Sequence, residues 1–292
     1  MNILLFGSTT FTGISFLELA KNNPNINTIS FSRNKKDNHF VDFNNPDSFK
    51  IDGLDKNILI NLGPIWLFAD FLKSILNNPS IFGKISGIIC CSSSSVLTKK
   101  YAFNNFDKNL VNKIENAENI LKKLSKKCNL KLTIIRPTLI YGDLGKAEDK
   151  NFSQIIKIMR LLPFIIFPSE TGLRQPIHHR ELAKVIFKAS LELNNFSENQ
   201  ACLRILNIGG SEEISYLNIL RRIQNNLPKN DSARFCKIIL IPNRIFYLLI
   251  NFLNLYSSKT YESLLRVSAN LSNFTFSDEF LNEKKKYFPY KE

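Results

Sequence analysis

Gly7 and Gly13 follow a short apolar run and open an apolar-periodic stretch. Ile3 to Phe6 reads as a strand and Gly13 to Lys21 as a helix, which makes the residues between them a strand-to-helix turn. A helix that begins at such a turn aims unpaired N–H groups and the positive end of its dipole at an anion, so a pyrophosphate can be held by backbone. Gly7, Ser8, Thr9, Thr10, Phe11 and Gly13 are therefore candidate dinucleotide contacts. Thr10 stands where such turns usually carry a central glycine, which predicts a less close backbone approach there. An ordinary tight turn between strand and helix has the same spacing.

Three further segments could carry chemistry at strand ends. After the expected strand Asn27 to Phe31 come Ser32 and Arg33, with no acid before Asp37. NAD sites commonly place a carboxylate there for the ribose 2′-hydroxyl; a hydroxyl and a guanidinium suit a 2′-phosphate instead. This favours NADP, with NAD as the alternative, and a basic surface loop fits the same residues. Asn61-Leu62-Gly63-Pro64 follows the strand Ile58 to Leu62, so Leu62 and Gly63 join the candidate cofactor contacts. Ser92 to Ser95 follows the strand Ile85 to Cys91, where serines could contact a cofactor or cap a helix.

The elements that must position these residues alternate. Further strands are expected at Leu130 to Ile135 and Arg204 to Ile208, and helices at Ile65 to Leu76 and Asp107 to Lys126. In the last, Leu110, Ile114, Ala117, Leu121 and Leu124 form one core-facing stripe. Continuous apolar strands alternating with helices predict a parallel sheet covered on both faces. Beyond Arg136-Pro137 helices are expected at Asn151 to Leu161, Arg180 to Leu193 and Ser215 to Leu227, and the rhythm then weakens. The expected organisation is an α/β, Rossmann-like doubly wound sheet over residues 1–145 and a smaller substrate lobe over 146–292, partly interleaved with it.

The 292 residues carry a net charge of +14. Lysines are spread over expected helix surfaces, so no dedicated nucleic-acid face is predicted. The five cysteines, including the adjacent Cys90 and Cys91, have neither disulfide-framework nor metal spacing and read as buried thiols. Without H-E-x-x-H or a His/Cys cluster, no catalytic metal is expected. The chain opens on a strand, with no secretory pattern, which predicts a cytoplasmic protein. Ile238 to Tyr256 is strongly apolar but interrupted by Pro242, Asn243, Arg244, Asn251 and Asn254. A strand followed by a mostly buried helix is expected, with an interfacial helix, and so peripheral membrane contact, as the alternative.

Taken in order, the glycine turn, Ser92-Ser93-Ser94-Ser95-Val96, Arg136-Pro137-Thr138-Leu139-Ile140-Tyr141-Gly142 and Arg174-Gln175-Pro176-Ile177-His178-His179-Arg180-Glu181-Leu182-Ala183 resemble the extended, atypical short-chain dehydrogenase/reductases, the nucleotide-sugar epimerases and dehydratases. The resemblance implies an NAD(P)-dependent enzyme acting on a nucleoside-diphosphate sugar, in polysaccharide or glycoconjugate synthesis. It implies that Ser93 hydrogen-bonds the reacting sugar oxygen, that Pro137 lies beside the nicotinamide, and that Asn151 and Arg174 hold the substrate diphosphate. His178 is read as structural. The family's catalytic Tyr-x-x-x-Lys pair is incomplete. Lys113 matches its lysine, but Asn109 stands at the tyrosine position, and a one-residue shift gives Leu110 and Ile114. Tyr101 and Tyr141 are the tyrosines nearest in sequence. A non-catalytic NAD(P)-binding sensor or assembly protein is the alternative reading.

Overall fold

The computed structural model describes residues 1–33, 39–51, 56–142, 152–195 and 202–290. They form two compact units. The first comprises Met1–Val96, Val111–Pro137 and His179–Ile208; the second comprises Leu97–Leu110, Thr138–His178 and Gly209–Glu292. The chain therefore enters the second unit twice before its final passage, and residues 179–208 return to the first.

The first unit is a Rossmann-like α/β fold. Its strands are β1 (Asn2–Phe6), β2 (Asn27–Phe31), β3 (Asn57–Asn61), β4 (Ile85–Cys91), β5 (Lys131–Pro137) and β6 (Leu203–Gly209). They run parallel in the order β6-β5-β4-β3-β1-β2. The helices used below are α1 (Phe11–Lys21), α2 (Ile65–Ile75), α3 (Asn105–Lys127) and α4 (His179–Asn195). Strands covered on both faces must be apolar throughout, and Ile3 to Phe6 and Ile58 to Ile60 are all essentially buried. In α2, Ile65, Phe68, Ala69, Leu72 and Ile75 make the buried stripe that helical periodicity requires. Phe6 stacks on Phe31 at 5.2 Å and meets Phe68 and Phe71 at 5.5 and 6.0 Å. An aromatic cluster thus supports the end of β1.

The second unit has its own core, in which Tyr141, Phe152, Ile156, Ile214, Leu220 and Phe288 are buried together. Two parallel strands, Phe164–Pro168 and Lys237–Ile241, belong to it. The helix Asn243–Asn251 follows. It buries Phe246 and Ile250 only, whereas Ile245, Leu248 and Leu249 are exposed, so the expected mostly buried helix is corrected to one with an apolar outer face. Among the described residues no helix is long and apolar enough to cross a membrane. Cys90 and Cys236 are buried as expected, but Cys91, Cys128 and Cys202 are partly exposed.

Candidate functional site

Strand register brings the sequence-separated turns together. Phe6 pairs with Phe31 on one side and with Asn61 on the other. The residues that follow, Gly7, Ser32 and Leu62, therefore emerge side by side at the carboxyl edge. The order reverses between β1 and β3, which is where an open parallel sheet leaves a crevice for a ligand.

Gly7 and Gly13 each have a steric reason. Gly7 has φ +84°, and a Cβ on it would lie 3.0 Å from Gly63 N and from Leu62 C. A Cβ on Gly13 would stand 2.4 Å from the Gly7 carbonyl oxygen and 2.8 Å from Ser8 Cα. Between them Thr10 is the N-cap of α1: its Oγ1 donates to the Gly7 carbonyl (2.8 Å) and accepts from Gly13 N–H (3.1 Å). The hydroxyl thus closes the turn and satisfies one amide of the first helical turn, leaving the remainder of that N-terminus for an anion. Asn61, fully buried, braces the next loop by donating to the Gly63 carbonyl (3.1 Å) and accepting from Gly63 N–H (3.2 Å). The start of α1 is also held from α4, through Ser15 Oγ and His179 Nδ1 at 2.9 Å and the Phe11–His179 ring contact at 5.3 Å.

Gly7, Thr9, Thr10, Ser32, Arg33 and Gly63 line one cleft of about 150 Å³, with Phe31, Val41, Phe43, Asn61, Pro64 and Leu67 completing it. Arg33 is exposed at its rim. A glycine turn with no room for a side chain, a helix N-terminus and a guanidinium in one cleft fit a dinucleotide. Ser8, Phe11 and Leu62 adjoin these residues in the two turns. Val41, Phe43 and Leu67 were not singled out in the sequence, since an isolated apolar residue in a loop carries no periodic signal. The residues at 34–38, including Asp37, lie outside the described residues.

Ser92 Oγ donates to Glu118 Oε1 at 2.6 Å, and Arg136 holds both carboxylate oxygens of that buried side chain. Burial pushes the Glu118 pKa up, but the hydrogen bonds from Arg136 and Ser92 and the charges of Arg136 and Lys122 outweigh it and hold the carboxyl below its ordinary value. Ser93 follows: its Oγ donates to Ser95 Oγ at 3.0 Å and accepts from Ser95 N–H at 3.1 Å. Ser94 N–H donates to the Pro137 carbonyl at 3.0 Å, tying the serine turn to the end of β5.

On α3, Glu118, Ile114 and Leu110 recur at four-residue spacing and share one face. Ile114 is buried and Leu110 half-buried, whereas Asn109 and Lys113 are exposed. Lys113, expected as the catalytic lysine, is thus solvent-exposed on this helix. The helix turns Lys113 outward and presents apolar side chains two turns and one turn before Glu118.

In the second unit Arg174 is buried, and its Nη1 donates to the carbonyls of Leu173 (2.8 Å) and Ala269 (2.5 Å). Nη2 donates to the Arg266 carbonyl, and the guanidinium lies 5.5 Å from the Tyr216 ring centroid. Burial lowers its pKa to about 10. Arg174, expected as a diphosphate clamp, thus braces the 266–269 backbone through three of its five N–H donors. Tyr141 Oη accepts from Tyr290 N–H at 2.8 Å inside the core, and His178 stacks on Tyr290 at 4.4 Å. Tyr101 is 83 % exposed. Asn151 lies outside the described residues.

No family model matches the chain, and no curated protein matches it by sequence. Solved structures do match. UDP-glucuronic acid 4-epimerase from Bacillus cereus, in complex with NAD, is 15% identical, with 97% of each chain covered and a TM-score of 0.58. MoeE5 in complex with UDP-glucose and NAD is 15% identical over 99% of this chain and 95% of its own, with a TM-score of 0.60. The human epimerase family protein SDR39U1 with NADPH is 14% identical over 97% and 100%, with a TM-score of 0.57. The chain has the fold of the extended short-chain dehydrogenase/reductases. Within that fold the glycine turn, the Ser32–Arg33 loop end and the serine turn all lie at the carboxyl ends of β1, β2 and β4.

Proposed function

We propose that this chain binds NADPH and acts as an oxidoreductase of the epimerase or reductase kind on a nucleoside-diphosphate sugar. The observation that carries the cofactor half is the single cleft uniting Gly7 and Thr10 with Ser32 and Arg33. Gly7 and Gly13 admit the pyrophosphate against the backbone, and Arg33 with Ser32 receives the 2′-phosphate that an aspartate would repel. Bound in its oxidised form the cofactor would take a hydride from a hydroxyl-bearing sugar carbon, and in its reduced form it would give one to a carbonyl, so epimerisation uses both steps and reduction the second alone. Ser93 would donate a hydrogen bond to the reacting oxygen, re-aiming a hydroxyl that now meets Ser95. Leu110 and Ile114 cannot exchange a proton, so the protonation step falls to a group other than a tyrosine–lysine pair.

That apolar pair favours a second reading, a cofactor-binding sensor or assembly protein that performs no hydride transfer. Cofactor titration combined with single-turnover hydride transfer against a panel of nucleotide sugars separates the two. With both NADP+ and NADPH tested, cofactor binding with hydride transfer from or to at least one sugar supports the enzyme; binding with no transfer in either direction supports the sensor. Absence of dinucleotide binding overturns both.

A further inference from the structure

The helix Asn243–Asn251 and the residues just after it carry an apolar face that no element among the described residues covers. Ile245, Leu248, Leu249 and Phe252 are 48, 66, 49 and 69 % exposed. Their spacing is that of one helical stripe, opposite the buried Phe246 and Ile250. Leu255 and Tyr256 extend the exposed apolar surface at 83 and 88 %. Scattered exposed apolar residues are ordinary, but a continuous stripe on one helix marks an interaction surface.

Charge identifies its partner. From Asp231 to Glu262 the chain has no acidic residue between these two, whereas Lys237, Arg244 and Lys259 are exposed within that interval. Glu170, whose backbone is hydrogen-bonded to Asn243 at the start of the helix, is an exposed acid at that end; along the stripe itself the neighbouring charges in sequence are cations, which matches an acyl boundary beneath anionic headgroups. A second copy fits poorly, because a two-fold contact would set each of these cations against the same patch on its twin. The helix has nine residues, about 14 Å at 1.5 Å per residue, less than half of a hydrocarbon core of about 30 Å. It can lie in the interface but not span it.

We propose that the 243–256 segment docks this protein on an anionic membrane surface, with Ile245, Leu248, Leu249 and Phe252 entering the acyl boundary and Lys237, Arg244 and Lys259 meeting lipid phosphates. The full chain should co-float with vesicles of phosphatidylcholine plus phosphatidylglycerol and not with phosphatidylcholine alone, and raised salt should release it. Arg244→Gln/Lys259→Gln should weaken binding about 25-fold, at about fivefold per cation near the surface. Leu248→Glu/Phe252→Glu should abolish it, with the thermal midpoint unchanged because both side chains are exposed. Sedimentation velocity on the same proteins reads self-association. Failure to bind anionic vesicles overturns the proposal, as does equal, salt-insensitive binding to neutral ones. An oligomer that the Leu248→Glu/Phe252→Glu variant disperses, without vesicle binding, assigns the face to a second copy instead.

Discussion

Arg136 grips Glu118 at two points inside the parallel-sheet unit: Nε donates to Oε1 at 2.9 Å and Nη2 to Oε2 at 2.5 Å. The pair links α3 to β5, and Ser92 joins it from the end of β4, so one buried carboxylate fixes the serine turn and the helix that would face it. Removing either charge strands the other, whereas removing both leaves an apolar contact. Arg136→Met should therefore cost about 3–5 kcal/mol in urea denaturation, and Glu118→Leu/Arg136→Met should recover most of that loss. Equal stability of Arg136→Met and the wild type would show that the pair holds nothing.

The glycine turn predicts two separable failures. Gly7→Val should abolish NADPH binding, because its left-handed φ and the 3.0 Å approach of Gly63 N and Leu62 C leave no room for a branched side chain. Gly13→Ala should act first on stability, lowering it by about 1–3 kcal/mol, since the new Cβ meets backbone that cannot swing away. Fluorescence titration with NADPH and thermal melts measure both, and a folded Gly7→Val protein with wild-type affinity would remove the turn from the cofactor site.

Cofactor choice rests on Arg33. Arg33→Ala should lower the preference for NADPH over NADH by about ten- to a hundredfold, the size of one charge-assisted contact to phosphate, with NADH affinity little changed. An unchanged ratio of the two affinities would assign Arg33 to the solvent.

Ser93→Ala should slow hydride transfer by about ten- to a hundredfold while leaving NADPH affinity intact, if the hydroxyl turns toward a reacting oxygen. Its hydrogen bonds to Ser95 are also a local cap, whose loss costs about 1 kcal/mol. A less stable protein with the wild-type single-turnover rate would confine Ser93 to that structural role.

Low pH should loosen the second unit through Asp107. Burial raises its pKa, but hydrogen bonds from Lys99 and Asn104 and the charges of Lys99 and Arg266 outweigh burial and bring it from 3.8 to about 2. A depressed folded-state pKa means that the carboxylate's contribution is complete above about pH 4 and is lost as the pH falls through about 2. The acid limb of a stability profile should flatten in this window for Asp107→Asn, relative to the wild type; identical limbs would refute the assignment.

Periodicity and turn chemistry alone determined the α/β class, the positions of β1 to β5 and the Gly7–Gly13 turn, because buried parallel strands and a turn with φ above zero are local requirements that restrict residue type directly. The sequence also showed that no tyrosine occupies the expected helical position. Only tertiary structure decided which residues share a site. Strand register set Ser32 and Arg33 beside Gly7, and helix phase turned Lys113 to solvent and Glu118 inward. Packing committed Arg174 to carbonyls and left Ile245, Leu248 and Leu249 uncovered. A one-residue change in phase moves a side chain by about 100° around a helix, so a motif match locates a residue along the chain without determining the surface it faces.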